Sequence, residues 1–245
     1  MQEIYGITYG SNKFENRSKI LKNKAINSGL FNNFQSFTKN DLDENFINKF
    51  NNILKLSKGG GYWIWKPYII NKMLSQINDN DILFYIDAGC DFNLNIESIK
   101  RFNEYIELVN KSESGFLRFE LKIYEKDFTN KKTFEYFKEK FNINDDIYYN
   151  QYQLIATVII MRKTKFVTNF FENVLTVLND DPDLFTDKYN NTTNRPEHRH
   201  DQSIMSILYK HFKGDLIIND ETYFKNGFNS EEAKKYPIWA TRKSN

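Results

Sequence analysis

The chain has 245 residues, of which 40% are hydrophobic and 27% charged, a composition that allows a large core and excludes a wholly disordered protein. Its formal net charge of +2 lacks the basic excess of nucleic-acid-binding proteins, so nucleic acid is not an expected partner. The single cysteine, Cys90, excludes an internal disulfide framework and a cysteine-based zinc cluster. No signal-peptide pattern and no apolar run of about 20 residues is present, so we expect a cytoplasmic protein without a transmembrane segment.

Strands and helices are predicted to alternate from the beginning of the chain. A strand over 3–9 ends in the turn 10–12, and a basic helical stretch follows over 17–27. The apolar spacing over 41–58 predicts one amphipathic helix that ends before three glycines. A second helix follows these glycines, with Pro67 in the first turn, where proline is tolerated.

The alternation continues through the rest of the chain. The apolar run Ile82–Ile86 lies between two aspartates and is typical of a central strand that is covered on both faces. The polar stretch 179–197 has no clear period and is predicted to be a surface loop or flap. We predict a single α/β domain over 1–245, with a mostly parallel central sheet flanked by helices. The other predicted elements are helices over 96–106, 131–141, 166–178 and 202–212 and strands over 115–120 and 153–161.

Asp87 directly follows the predicted central strand. Ligands of α/β sheets bind beyond the carboxyl ends of the strands, and the next residues, Ala88 and Gly89, are small enough for a nucleotide or a metal ion to approach. A carboxylate at this position can bind Mg²⁺ or Mn²⁺, and the metal can neutralise a diphosphate leaving group. The alternative is that Asp87 only begins a turn.

The glycine-rich segment 58–67 combines three glycines, two tryptophans and a tyrosine. The glycines allow a sharp bend, Trp65 offers a stacking face, and Lys66 offers a positive charge for phosphate. The alternative is a helix C-cap followed by aromatic core residues. Neither a P-loop nor a dinucleotide-binding fingerprint is present, which argues against a P-loop kinase and a dinucleotide enzyme.

A third candidate segment, 197–203, lies at the start of a predicted helix. Asp201 is either an N-cap or a carboxylate that accepts a proton from an acceptor hydroxyl, and the two roles can coexist. His198 and His200 would share a face of an extended segment, but a zinc site needs more ligands than this pair supplies.

Taken together, the segments 59–68, 81–90 and 198–203 resemble small glycosyltransferases of the GT-A type. Such proteins occur in bacterial polysaccharide gene clusters and in large DNA viruses that glycosylate their own capsids. The resemblance extends from Tyr5 to about Arg242. It implies a Rossmann-like GT-A domain in a bacterial or viral host cytoplasm. The implied activity is transfer of a sugar from a nucleotide sugar, with a UDP-sugar favoured, to a hydroxyl of a glycan or other acceptor, including one at a membrane surface.

The resemblance also implies roles for individual residues. Asp87 would occupy the first position of the metal-binding Asp-x-Asp motif, but the third position is Gly89, so Asp91 is the candidate for a second ligand of Mn²⁺ or Mg²⁺. Asp201 would be the catalytic base of an inverting enzyme, with retention as the open alternative. The implied donor-binding residues are Thr8, Tyr9, Gly10, Ser11, Trp65, Lys66, Asp87, Ala88 and Gly89, and the acceptor or sugar contacts are Arg118, Gln153 and His200.

Two other classes of function are compatible with the same residues. A metal-dependent hydrolase of nucleotide sugars or phosphodiesters could be built from the acids and histidines, and its turnover would not depend on an acceptor. A noncatalytic sugar-binding module would keep the aromatic cleft and would tolerate loss of Asp201.

Overall fold

The computed structural model describes residues 1–143, 148–190 and 197–244, and within them a seven-stranded sheet lies between two layers of helices. A two-stranded ribbon of Asp91–Phe92 and Ile238–Trp239 lies apart from the large sheet. The strands are β1 Ile4–Tyr9, β2 Asn33–Phe37, β3 Ile82–Ile86, β4 Asp91–Phe92, β5 Phe116–Tyr124, β6 Tyr152–Leu154, β7 Val158–Arg162, β8 Leu216–Asn219 and β9 Ile238–Trp239. The helices are α1 Glu15–Ser28, α2 Glu44–Lys49, α3 Asn51–Leu54, α4 Gly59–Tyr62, α5 Trp65–Gln76, α6 Ile96–Lys111, α7 Glu125–Phe128, α8 Lys131–Phe141, α9 Lys165–Asp180 and α10 Asp201–His211.

The sheet combines parallel and antiparallel pairs. β1 pairs in parallel with β2 and β3, and β8 pairs in parallel with β5. β7 runs antiparallel between β3 and β5, and β6 is antiparallel to β5. The predicted α/β domain with helices around a central sheet is confirmed, and β6 and β7 supply the antiparallel pairs.

Burial of the central strand explains why the sheet has helices on both faces. All five residues of β3 are buried, as the apolar run predicted. Leu83 and Tyr85 pack into the hydrophobic cluster under α5, α9 and α10. The alternate residues Ile82, Phe84 and Ile86 point to the opposite face and pack under α1 and α6. The predicted central strand therefore contributes side chains to both hydrophobic clusters.

Two predicted elements are interrupted in the structure. The helix predicted over 41–58 is a 3-10 turn followed by α2 and α3, with a break at Phe50, whose φ of −108° and ψ of 18° are not helical. The strand predicted over 153–161 is split into β6 and β7. Residues 155–157 leave the regular ladder because their backbone groups bond to side chains and to the turn at Asp87.

The predicted surface loop 179–197 is partly described. It continues α9 to Asp180 and contains the 3-10 turn Pro182–Phe185, while residues 191–196 lie outside the described residues. Among the described residues, no helix is both long and apolar enough to cross a membrane.

Candidate functional site

A cavity of about 550 Å³ opens at the carboxyl ends of β1 and β3. Its walls come from the turn after β1, the glycine-rich segment α4, the turn after β3 and the C-terminal segment 240–242. A cavity of this size is within the range of small-molecule sites. Six of the residues predicted to bind the donor line it: Tyr9, Ser11, Trp65, Asp87, Ala88 and Gly89.

Beneath the cavity, Lys66 joins two carboxylates. Its Nζ lies 2.7 Å from Asp201 Oδ2 and 3.4 Å from Asp87 Oδ1, and it donates a hydrogen bond of 3.0 Å to the carbonyl of Ala156. The Lys66 side chain is only 2% exposed. Burial opposes its charge, but the two carboxylates outweigh burial and raise the pKa of Lys66, so the ammonium stays charged.

Asp87 is the member of this cluster that reaches the cavity. Its side chain is 28% exposed, and its Oδ1 accepts a short hydrogen bond from Tyr85. Burial raises the pKa of Tyr85 well above its usual value, so this hydroxyl remains a donor. The backbone N–H of Asp87 donates to the carbonyl of Thr157 at 2.9 Å, which fixes the start of the turn.

Asp201 is the first residue of α10 and lies behind the cavity wall. It follows His200, whose φ of 56° is in the left-handed region, an unusual conformation for a residue other than glycine. Burial raises the pKa of Asp201 to about 6, with Lys66 opposing the shift. Its Oδ2 makes no directed hydrogen bond among the described residues, although Lys66 is close. The next residue, Gln202, lines the cavity.

The interruption between β6 and β7 directs backbone groups towards this cluster. Arg118 Nη2 donates to the carbonyl of Ile155 at 2.9 Å, and Gln202 Oε1 accepts from the N–H of Ala156 at 3.2 Å. Gln153 accepts a hydrogen bond of 2.6 Å from Gln202 Nε2 and thereby holds that side chain in place. Both Arg118 and Gln153 are fully buried. They position the site from behind and do not line the cavity, and their contact with sugar or acceptor stays a prediction.

The glycine-rich segment forms one wall through a run of left-handed residues. Gly59, Gly60 and Gly61 have φ of 58°, 57° and 98°, and Trp63 continues the run at 57°. A Cβ on Gly60 would lie 2.1 Å from Ser11 Oγ, so glycine allows the wall to approach the turn after β1. The conformation brings Trp63 to the cavity, which Ser11 also lines.

An aromatic stack supports the same wall. The rings of Tyr9 and Trp65 lie 3.8 Å apart at an interplanar angle of 13°, and Trp65 Nε1 donates to the carbonyl of Gly59 at 2.9 Å. Both rings line the cavity and are largely buried. The stack therefore links β1, the glycine-rich segment and α5 at the base of the site.

His200 belongs to a brace outside the cavity lining. Its Nε2 lies 2.9 Å from Asp187 Oδ1, and Asp187 Oδ2 also accepts hydrogen bonds from Lys58 at 2.8 Å and Tyr62 at 2.9 Å. Burial lowers the pKa of His200, with Asp187 opposing the shift. The brace ties the glycine-rich segment to the start of α10, and contact of His200 with an acceptor stays a prediction.

Several other predicted donor-binding residues lie below the surface of the cavity. Thr8 is fully buried, with Oγ1 unpartnered among the described residues, and Gly10 packs where a Cβ would lie 2.3 Å from Ser18 Oγ. Lys66 also lies below the surface and acts through the two carboxylates. Thr8 and Gly10 shape the turn, while Tyr9 and Ser11 face the cavity.

The candidate metal ligands do not form a protein-built metal site. The carboxylate of Asp91 is surrounded by Arg17 at 3.3 Å, Lys24 at 2.5 Å and Lys243 at 3.2 Å, and it does not line the cavity. Within the described ranges, no three acidic, histidine or cysteine side chains are grouped as ligands. Of the two predicted metal ligands, only Asp87 lines the cavity. Its carboxylate accepts a hydrogen bond from Tyr85 and lies near the Lys66 ammonium. Asp91 is thus held by basic side chains outside the cavity lining, and its role as a metal ligand stays a prediction.

The structure adds lining residues that the sequence reading did not assign to the site. Arg199 and Gln202 flank Asp201 in the chain, so their positions within that segment were the available signal. Thr222, Tyr223 and Arg242 come from the C-terminal part of the chain, where no motif marked them. Only the fold brings this part to the turn after β3.

Comparison with solved structures identifies the fold. A glycosyltransferase involved in the glycosylation of the major capsid of PBCV-1 superimposes with a TM-score of 0.50 over 96% of this chain and 91% of that one, at 11% identity. The chain has the GT-A glycosyltransferase fold. No protein-family model matches the chain, and no curated protein sequence matches it.

More distant matches to this GT-A fold include two other transferases. Mouse xyloside xylosyltransferase 1 has a TM-score of 0.45 at 10% identity, covering 98% of this chain and 97% of that one. The galactosyltransferase LgtC has a TM-score of 0.42 at 12% identity, covering 96% and 86%.

Proposed function

We propose that this GT-A protein is a nucleotide-sugar-dependent glycosyltransferase of polysaccharide or glycan biosynthesis. The observation that carries the proposal is the buried cluster of Asp87, Lys66 and Asp201, in which Asp87 lines the cavity and Asp201 lies behind its wall. Burial raises the pKa of Asp201, and a buried carboxyl with a raised pKa beside a charged partner is typical of catalytic sites. The donor class that we favour is a UDP-sugar, on the resemblance of the sequence segments described above.

In the proposed reaction, the acceptor hydroxyl oxygen forms a bond to the anomeric carbon of the donor sugar. The bond from that carbon to the diphosphate oxygen breaks, and the diphosphate leaves with the bonding electrons. Asp201 accepts the hydroxyl proton, which suits a carboxyl whose pKa is about 6 because it is ionised near neutral pH. We favour inversion at the anomeric carbon, since one base is sufficient for a single displacement.

The walls of the cavity suit a nucleotide sugar. Trp63 offers an aromatic surface for a base or a sugar ring, and the stacked pair of Tyr9 and Trp65 forms part of the cavity floor. Lys13, Arg199 and Arg242 also line the cavity, as does Lys58, which pairs with Asp187; the cavity carboxylates are those of Asp87 and Asp220. This excess of positive charge favours an anionic ligand such as a diphosphate.

The experiment measures release of nucleoside diphosphate from UDP-, GDP-, CDP- and dTDP-sugars, with and without a mixture of glycan acceptors. Every reaction is run once with EDTA and once with Mn²⁺. We expect one donor to release diphosphate in an acceptor-dependent way, with the sugar found on an acceptor by mass spectrometry. Asp201→Asn should lower this rate by several orders of magnitude, whereas Asp79→Asn, at a surface carboxylate, should not.

Two results would contradict the proposal. Release that is equally fast without any acceptor would indicate a nucleotide-sugar hydrolase. If the protein binds a donor but does not turn it over, and Asp201→Asn binds that donor equally well, the protein is a sugar-binding module.

A further inference from the structure

The position of the missing second acid is filled by the C-terminal segment. A Cβ on Gly89 would lie 3.2 Å from Arg242 Cα and 3.4 Å from the carbonyl oxygen of Lys243. The carbonyl of Gly89 accepts hydrogen bonds from Thr241 Oγ1 at 2.8 Å and from the N–H of Lys243 at 3.1 Å. The turn after β3 and the C-terminal segment are therefore packed together at the place where an Asp-x-Asp motif would carry its second carboxylate.

The segment presents Arg242 to the cavity. Arg242 has a φ of 57°, and the next residue, Lys243, pairs with Asp91 at 3.2 Å on the other side. The Arg242 guanidinium lies 5.6 Å from the ring centre of Tyr223, which also lines the cavity. No carboxylate among the described residues is within ion-pair distance of Arg242, so its charge is available to a ligand.

The same turn offers little to a divalent cation. Asp87 is its one carboxylate at the cavity, and the Lys66 ammonium at 3.4 Å would repel a bound metal ion. Asp91 is neutralised by three basic side chains. Divalent cations of this kind require oxygen ligands, whereas a guanidinium can bind phosphate oxygens in a bidentate manner without a metal.

We propose that Arg242 binds the diphosphate of the donor and that this binding does not require a divalent cation. The inference rests on the proposed function, because it assigns the diphosphate-binding group of the same cavity. The positive charge of Arg242 would stabilise the leaving diphosphate, which is the role that a metal ion has in enzymes with a complete Asp-x-Asp motif.

The test is calorimetric titration of UDP, GDP, CDP and dTDP into the full chain, once with EDTA and once with Mn²⁺. We expect one diphosphate to bind with a similar Kd in both conditions. Arg242→Gln should weaken its binding by about 10- to 100-fold, the loss expected for hydrogen bonds to a charged group. It should weaken binding of the corresponding monophosphate less, because the monophosphate lacks the second phosphate.

Lys243→Gln is the matched control, since it removes the same charge from the adjacent residue that faces Asp91. It should leave the Kd of the diphosphate nearly unchanged. Both substitutions are at exposed positions, and the melting temperature of each variant verifies that it is folded.

The outcomes separate this inference from the proposed function. If a diphosphate binds only with Mn²⁺, loses binding in Asp87→Asn and binds Arg242→Gln as tightly as wild type, the inference is overturned and the donor site stands. If no diphosphate binds in either condition, the proposed function fails, and the inference fails with it.

Discussion

At the scale of single residues, Lys66 is a buried charged side chain whose stability depends on its two carboxylate partners. An ammonium that is 2% exposed is stable here because two carboxylates and the Ala156 carbonyl surround it. Replacement of Lys66 by methionine would leave the carboxylates of Asp87 and Asp201 near each other without their shared cation. Removal of one partner from a buried ion pair is strongly destabilising.

We therefore expect Lys66→Met to lower the free energy of unfolding by about 3–5 kcal/mol, as measured by urea denaturation. Lys72→Met is the matched control, because Lys72 pairs with Asp43 at the surface and such pairs contribute about 0–1 kcal/mol. Equal losses in the two variants would show that Lys66 is not held by the buried carboxylates.

Asp201 gives a prediction for the pH dependence of the proposed reaction. A base must be ionised to accept a proton, and burial raises the pKa of this carboxyl to about 6. We expect kcat/KM to be constant above this pKa and to fall roughly tenfold for each pH unit below it. A profile that stays flat down to pH 4, near the usual pKa of an aspartate, would remove Asp201 from the role of base.

The sequence predicted single residues best where neighbours in the chain define the environment. Asp87, Ala88 and Gly89 follow a strongly apolar strand, and they line the cavity. Arg118 and Gln153 were predicted to contact ligands, but both are buried and bond to groups of residues 155 and 202. Partners so distant in the chain cannot be read from local sequence patterns.

At the scale of elements, the glycine-rich segment is the one whose conformation depends most on residue type. Gly60 has a φ of 57°, and its hydrogen atoms face Ser11 closely. Gly29 has a similar φ of 67°, but a Cβ there would meet nothing within 4 Å. A side chain at either position would have the energetic cost of a left-handed backbone conformation. Only at Gly60 would it also clash with Ser11.

We expect Gly29→Ala to cost about 1–2 kcal/mol of stability, the cost of a left-handed conformation with a Cβ. Gly60→Ala should cost more than this and should also weaken donor binding, because Ser11 must move. The measurements are urea denaturation and calorimetric titration of the donor. Identical stability and binding in the two variants would show that the contact between Gly60 and Ser11 is unimportant.

Elements were predicted well where burial is continuous and less well where the site interrupts them. β3 and α8 have the predicted bounds. The strand predicted over 153–161 is split because residues 155–157 bond to Arg118, Lys66 and the turn at Asp87. Its composition remains that of a strand, so periodicity alone could not reveal the interruption.

At the scale of the whole molecule, the site depends on contacts between the turn after β3 and the C-terminal part of the chain. β4 pairs with β9, and Thr241 bonds Gly89 across 152 residues. The α/β class followed from alternating patterns, but the strand order and the position of the C-terminal segment did not. They depend on packing and on hydrogen bonds between residues that no local signal connects.

A crystal structure with the donor that is selected by turnover would show whether this cavity holds a nucleotide sugar. We expect the diphosphate to lie within hydrogen-bond distance of Arg242 and the sugar to lie beside Asp87 and Gln202. A nucleotide bound outside the cavity, or a sugar far from Asp87 and Gln202, would contradict this expectation.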